Sequence, residues 1–311
     1  MAEKVNHIRK PINMKMRKIR CAFLWVFLCV FFAGCASERG TVESEEAENE
    51  VMIVPETESI QDDVGTVERE VDHSIEFGGI QGCAVVYSPK SDEYLLYNRV
   101  LCDEQVSPLS SFKIISTLIG LDAGVIDDDT SVMQYDGTIY PVEAWNGELT
   151  LEEAFHSSCV WYFRQVIDHV GQDAVQGVLD ELDYGNCDIS QWEGSGINPL
   201  PDLNGFWIAS SLEISPREQV EVLAKLFEGE TNFEQSDIEI LKTVMMIEKN
   251  GDRIFYGKTG SDADGHAWFT GFAEQSEQRT YIAVYLNDVD HADKVTGNKA
   301  KEIAAAILEM E

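Results

Sequence analysis

From Thr41 to Asp72 the chain carries twelve acidic residues against a single base, Arg69. A segment so charged has little apolar surface to bury, and repulsion between like charges extends it. It cannot join a hydrophobic core, so whatever folds must be built from the residues that follow. Residues 36–74 are therefore expected to form a solvated acidic tether, and residues 75–311 the folded domain.

The stretch before the tether has the opposite charge. Residues 1–20 hold seven Lys or Arg against one acid, Glu3, and are followed by the apolar run Cys21–Gly34. That run is short for a membrane span and suits the core of a signal peptide. It ends in Ala33-Gly34-Cys35, which resembles a bacterial lipoprotein signal cut after Gly34 and acylated on Cys35, with Phe32 a departure from the usual pattern. An ordinary signal peptide or an uncleaved anchor is the alternative, and Met14 or Met16 could be the true start. Each reading exports the chain, so the expectation is an extracytoplasmic protein with residues 1–35 as signal and lipid on Cys35 as its only membrane contact.

With 44% hydrophobic and 10% aromatic residues the remainder reads as globular. The net charge of −33 repels phosphate backbones and anionic headgroups, which argues against nucleic acid and peripheral membrane binding. Solubility explains it, and no protein partner is inferred. Cys83, Cys102, Cys159 and Cys187 fall in the expected domain, where export permits disulfides without requiring them. None has metal-ligand spacing, so no metal is expected. A buried free thiol is the expectation for Cys159, and the pairing of the others stays open.

Cys83–Tyr87 and Tyr94–Tyr97 read as strands joined by a Ser-Pro-Lys-Ser-Asp hairpin. Thr150 with Glu153 and Ser215 with Glu218 fit capping boxes that start helices, Pro216 suiting the first helical position. Gly171 and Asn250-Gly251 read as helix stops. Arg253–Thr259, Trp268–Ala273 and Thr280–Leu286 read as strands, and Asn298–Met310 as a last helix. The whole suggests an α+β domain whose sheet joins both chain ends.

Ser110 and Lys113 stand three apart at the start of an apolar stretch that runs through Ile119. At that spacing on a helix the amine sits beside the hydroxyl and relieves it of its proton. Phe112, Ile114 and Ile115 give Lys113 an apolar setting that favours the free amine. The one other Ser or Thr three residues before a lysine is Thr296 before Lys299, which lacks that setting. Far along the chain, Lys258-Thr259-Gly260 ends an expected strand; its charge and hydroxyl suit a substrate carboxylate, and Gly260 permits close backbone approach. Serine-x-x-lysine with lysine-threonine-glycine is the pairing of serine β-lactamases and penicillin-binding proteins.

Ser158-Cys159-Val160, Tyr184-Gly185-Asn186, Phe206-Trp207 and Leu212-Glu213-Ile214-Ser215-Pro216 complete a resemblance to class D β-lactamases over about residues 76–310. The resemblance implies the serine β-lactamase and transpeptidase fold, an antiparallel sheet flanked by helices with a mainly helical subdomain. It implies hydrolysis of β-lactams through an acyl-enzyme on Ser110, with Lys113 N-carboxylated by carbon dioxide or bicarbonate as general base. Trp207 would donate to that carbamate, and Val160 and Ile208 would keep the pocket apolar. Ser158 and Lys258 would relay a proton to the leaving nitrogen, with Thr259, Gly260 and Ser261 binding substrate and the N–H groups of Ser110 and Ser261 holding the oxyanion.

Two departures stand out. Ser261 replaces a large side chain common in the family, and no arginine occurs at positions 280–311, where the family often has one for the substrate carboxylate. Lys294, Lys299 or Thr259 could substitute. The alternatives are a β-lactam sensor or acyl trap and a D,D-peptidase; sensors usually carry Asn where this chain has Val160, and that favours hydrolysis. No counterpart of the class A loop glutamate is evident. His156 and His266 are assigned no chemistry. A lipoprotein that merely binds wall peptides is the reading outside enzymology.

Overall fold

The computed structural model describes residues 66–309. The expected signal, Cys35 and most of the expected tether lie outside them. Among the described residues, β1 (Val67–Glu70), β2 (Gly82–Ser88), β3 (Glu93–Tyr97), β4 (Met246–Asn250), β5 (Arg253–Ser261), β6 (His266–Gln275) and β7 (Gln278–Asn287) make one sheet in the order β1-β3-β2-β7-β6-β5-β4. Only β1 pairs parallel, with β3; every other ladder is antiparallel. Strands from both ends of the domain meet where β2 pairs with β7, giving the α+β sheet anticipated above.

The helices are α1 (Ser74–Phe77), α2 (Arg99–Cys102), α3 (Lys113–Asp122), α4 (Leu151–His156), α5 (Val160–Val170), α6 (Gln172–Leu182), α7 (Pro216–Phe227), α8 (Gln235–Met245) and α9 (Gly297–Ile307). Because side chains alternate along a strand, β6 sends Ala267 and Phe269 to one face and Trp268 and Phe272 to the other. The first face packs under α9, against Val295, Ile303 and Ala304. The second face joins a larger core shared with the helices between β3 and β4. At the centre of that core α3 is buried from Lys113 to Leu121 and packs against α5 and α8.

Both capping boxes are present. Thr150 Oγ1 accepts from Glu153 N and Ser215 Oγ from Glu218 N, while each glutamate accepts from its cap's own N–H. Gly171 ends α5 as expected. Two boundaries differ from expectation. Part of the expected tether belongs to the fold, since Val67–Glu70 adds a strand to the sheet edge; the strand is exposed, and two of its charges are paired from elsewhere, Arg69 with Glu93 at 2.6 Å and Glu68 with Arg217 at 2.9 Å and with Arg99. Asn250-Gly251 is not a helix stop. It begins the tight turn of the β4–β5 hairpin, where Asn250 pairs with Arg253 and Gly251 takes φ 65°. The preceding helix α8 passes straight into β4 at Met246.

Candidate active site

Ser110 does not lie on an α-helix. It lies in a 3₁₀ turn, Leu109–Phe112, that leads into α3 at Lys113. Residues three apart eclipse in such a turn, and Lys113 Nζ stands 2.9 Å from Ser110 Oγ. The turn is held from below: the buried Ser111 hydroxyl donates to Pro108 O at 2.7 Å and accepts from Gln219 Nε2 of α7 at 2.8 Å. Leu109 takes the left-handed conformation, φ 51°. Such backbone costs about 1–3 kcal/mol and persists only where surrounding packing imposes it.

Lys113 is fully buried, and no carboxylate pairs with it among the described residues. Its surroundings are the Phe163 ring, 5.6 Å from Nζ, and the Cys159 thiol. Loss of hydration therefore pushes its pKa down to about 7, against a small opposing pull from Cys159. Near neutral pH the amine is available as a base. Burial pushes the Cys159 thiol up to about 12, so it stays protonated.

Ser158 follows α4 at φ 59°, and its hydroxyl accepts from Lys258 Nζ at 3.0 Å. The same nitrogen donates to Thr259 O at 2.8 Å. Burial first, and the charge of Lys113 second, hold Lys258 well below the usual lysine range. β5 can lie this close to the Ser110 turn because residue 260 is glycine: a Cβ there would stand 3.0 Å from Ser110 N and 3.1 Å from Ser111 N.

These elements enclose a cleft of about 430 Å³ bordered by Ser110, Ser158, Val160, Ile208, Thr259, Gly260 and Ser261. The expected residues thus converge from the 3₁₀ turn, the α4–α5 junction, the loop before α7 and the end of β5. Trp207 is buried behind the cleft, stacked on Phe112 at 5.6 Å, and its Nε1 has no hydrogen-bond partner among the described residues. Ser107 clamps its segment, donating to Trp207 O at 3.0 Å and accepting from Ala209 N at 2.9 Å. Thr296, the other serine-or-threonine candidate, is the N-cap of α9, its Oγ1 accepting from Lys299 N. Cys83, Cys102, Cys159 and Cys187 are free thiols.

Sequence reasoning missed the outer wall: Pro141, Val142, Trp145, Asn198 and Leu203. Trp145 and Leu203 end short 3₁₀ turns, Glu143–Trp145 and Pro201–Leu203, and the others lie in the loops beside them, with no motif of their own. Trp145 alone carried a hint, because it lies a short distance before Ser158, and its Nε1 donates to Ser157 O at 3.0 Å.

The penicillin binding protein transpeptidase domain matches residues 82–309 of the chain. The regulatory protein BlaR1 of Bacillus licheniformis is 34% identical over 232 residues, 73% of this chain but only 36% of BlaR1, so the chain spans about a third of that relative. The probable β-lactamase YbxI of Bacillus subtilis is 34% identical over 235 residues, 75% of this chain and 82% of YbxI. Among solved structures, the C-terminal domain of the Bacillus licheniformis BlaR penicillin receptor superposes with a TM-score of 0.70 at 33% identity, covering 79% of this chain and 97% of that domain. A class D β-lactamase from Bacillus subtilis gives 0.68 at 31% identity, covering 77% and 95%. The fold is that of serine β-lactamases and transpeptidases, and the matched span takes in every element that borders the cleft. The chain belongs to the penicillin-binding protein transpeptidase domain family, with class D β-lactamases and a BlaR penicillin receptor among its relatives.

Proposed function

We propose that the protein hydrolyses β-lactams through an acyl-enzyme on Ser110. The observation that carries this reading is the buried Lys113 amine, with no carboxylate partner among the described residues and a pKa of about 7, hydrogen-bonded at 2.9 Å to the Ser110 hydroxyl at the edge of the cleft. Ser110 Oγ attacks the lactam carbonyl carbon while its proton passes to the neutral Lys113 amine. The N–H groups of Ser110 and Ser261, at the cleft wall, hold the oxyanion. As the carbon–nitrogen bond breaks, the nitrogen takes the Ser158 proton, which Lys258 replaces across 3.0 Å. The proton that Lys113 took from Ser110 passes to Lys258, which restores both groups; the neutral Lys113 amine then takes a proton from the water that attacks the ester and returns it to Ser110 Oγ as the ester bond breaks and the acid product leaves.

The site suits a carboxylated Lys113. About half of the amine is uncharged at neutrality, as reaction with carbon dioxide requires; Val160 and Ile208 supply apolar walls; and the Trp207 N–H is buried without a partner among the described residues. Carboxylation would supply an anionic oxygen base beside Ser110. No metal or other cofactor is part of this proposal.

The relationship to BlaR favours a second reading, an acyl trap or sensor in which the ester persists. A chromogenic cephalosporin, with and without added bicarbonate, separates the two while intact mass reports the adduct. Sustained turnover that rises with bicarbonate supports hydrolysis, whereas one stable adduct per chain supports the sensor or a D,D-peptidase. No adduct, or an adduct that survives Ser110→Ala, would sink the assignment. Export and lipid attachment at Cys35 belong to the same proposal, and Cys35→Ala should move the protein from the membrane fraction to the soluble one.

A further inference from the structure

The sequence leaves the pairing of the cysteines open, and the fold brings two of them together. Cys83 is the second residue of β2 and Cys102 the last of α2, and both are fully buried. Alternation along β2 turns Cys83 and Val85 into the larger core and Ala84 and Val86 toward the α9 side, so Cys83 shares its face of the sheet with Cys102.

On that face α2 packs against β2. Cys102 Sγ donates to Tyr97 O at 3.3 Å and to Ala84 O at 3.5 Å, the carbonyl next along the chain from Cys83. Asn98, just before α2, grips the other side of Cys83, its Nδ2 donating to Gly82 O at 3.0 Å. The two thiols are hydrogen-bonded to each other, and burial first and this contact second hold the Cys83 thiol well above its ordinary pKa. The other cysteines stand elsewhere: Cys159 beside Lys113, and Cys187 with its Sγ donating to Leu179 O at 3.4 Å.

We propose that Cys83 and Cys102 form a disulfide when the chain folds in the presence of a disulfide oxidant, either a small molecule such as oxidised glutathione or a protein. The Cys102 thiolate attacks one sulfur of the oxidant and expels its partner as a thiolate. The Cys83 thiolate then attacks the Cys102 sulfur of that mixed disulfide and expels the second thiolate. Two protein thiols give up two electrons and two protons, and one oxidant disulfide becomes two thiols. Cys102 is reached first, because α2 is four residues long and its Arg99 and Val100 are exposed. With α2 docked, burial and the high Cys83 pKa make the pair slow to react, so the bond forms as α2 docks and is then sealed in. It ties the sheet to the segment that continues through Val106, which bridges to Ile214, and into the Ser110 turn. Nothing in this step involves acylation of Ser110.

The test refolds the full chain into glutathione buffers of graded redox ratio, starting from both the reduced and the oxidised protein, and repeats the series in urea sufficient to unfold it. Samples are quenched in acid, alkylated and digested with trypsin without reduction. The bond joins the peptides 70–90 and 100–113, which end at Lys90 and Lys113 and carry one cysteine each. A fold that holds the two thiols together should raise the equilibrium constant for this bond against glutathione roughly a hundredfold over its value in urea. A constant in the folded protein equal to or below that in urea would overturn the proposal, as would a bond from Cys83 or Cys102 to any other cysteine. Because the measurement uses the native thiols, it decides without any variant having to fold.

Discussion

Burial without a counter-ion is what makes Lys113 useful, and it has two pH signatures. Its folded-state pKa of about 7 lies below the ordinary 10.5. Acylation should therefore fall as pH drops through about 7, as the amine takes up a proton, and stopped-flow rates between pH 5 and 9 would show a single ionisation on that limb. Stability should move the same way. Between about 7 and 10.5 the unfolded chain holds the proton and the folded chain does not, so unfolding free energy rises with pH across that window and the gain is lost as pH falls through about 7. Lys113→Met removes this contribution, and denaturant titrations of both proteins at several pH values would isolate it. Ser111 acts one layer lower. Ser111→Ala would leave the buried Gln219 amide without its acceptor, which costs about 1–3 kcal/mol. A lower denaturation midpoint is the expected result.

The elements that place these side chains differ in how plainly the sequence announces them. A serine or threonine three residues before a glutamate is a local signal, and Ser215 caps α7 as anticipated; Ser215→Ala should cost about 1 kcal/mol, read as a lower denaturation midpoint. Apolar runs joined by a turn signal likewise marked β2 and β3, and β5, β6 and β7 also read as strands. The spacing of Ser110 and Lys113 was legible, but the 3₁₀ turn that aligns them was not, because the apolar pattern of α3 runs through it unbroken. Strand β4 was missed because Met246-Ile247-Glu248-Lys249-Asn250 continues the helix α8 without a glycine or proline between them. Strand β1 was missed because its charges were weighed only against one another, while Arg99 and Arg217, which neutralise Glu68, come from distant parts of the chain.

At the scale of the molecule, a net charge of −33 means that compaction works against self-repulsion. Raising sodium chloride from about 10 mM to about 200 mM shortens the screening length from roughly 30 Å to below 10 Å, and the melting temperature of the full chain should rise. A fall would mean that surface pairs such as Arg217–Asp103, 2.6 Å apart, outweigh the repulsion. The parallel placement of β1 has a mechanical consequence as well. Val67 lies opposite Glu93 and Glu70 opposite Leu96, so the chain enters the domain running alongside β3 in the same direction. A load applied along that strand from the amino-terminal side meets all four residue pairs at once, in shear, together with the grip of Arg99 and Arg217 on Glu68. The domain takes such a pull on a clamp whose bonds must fail together, while the cleft at Ser110 lies beside β5, four strands further across the sheet from β1 and β3.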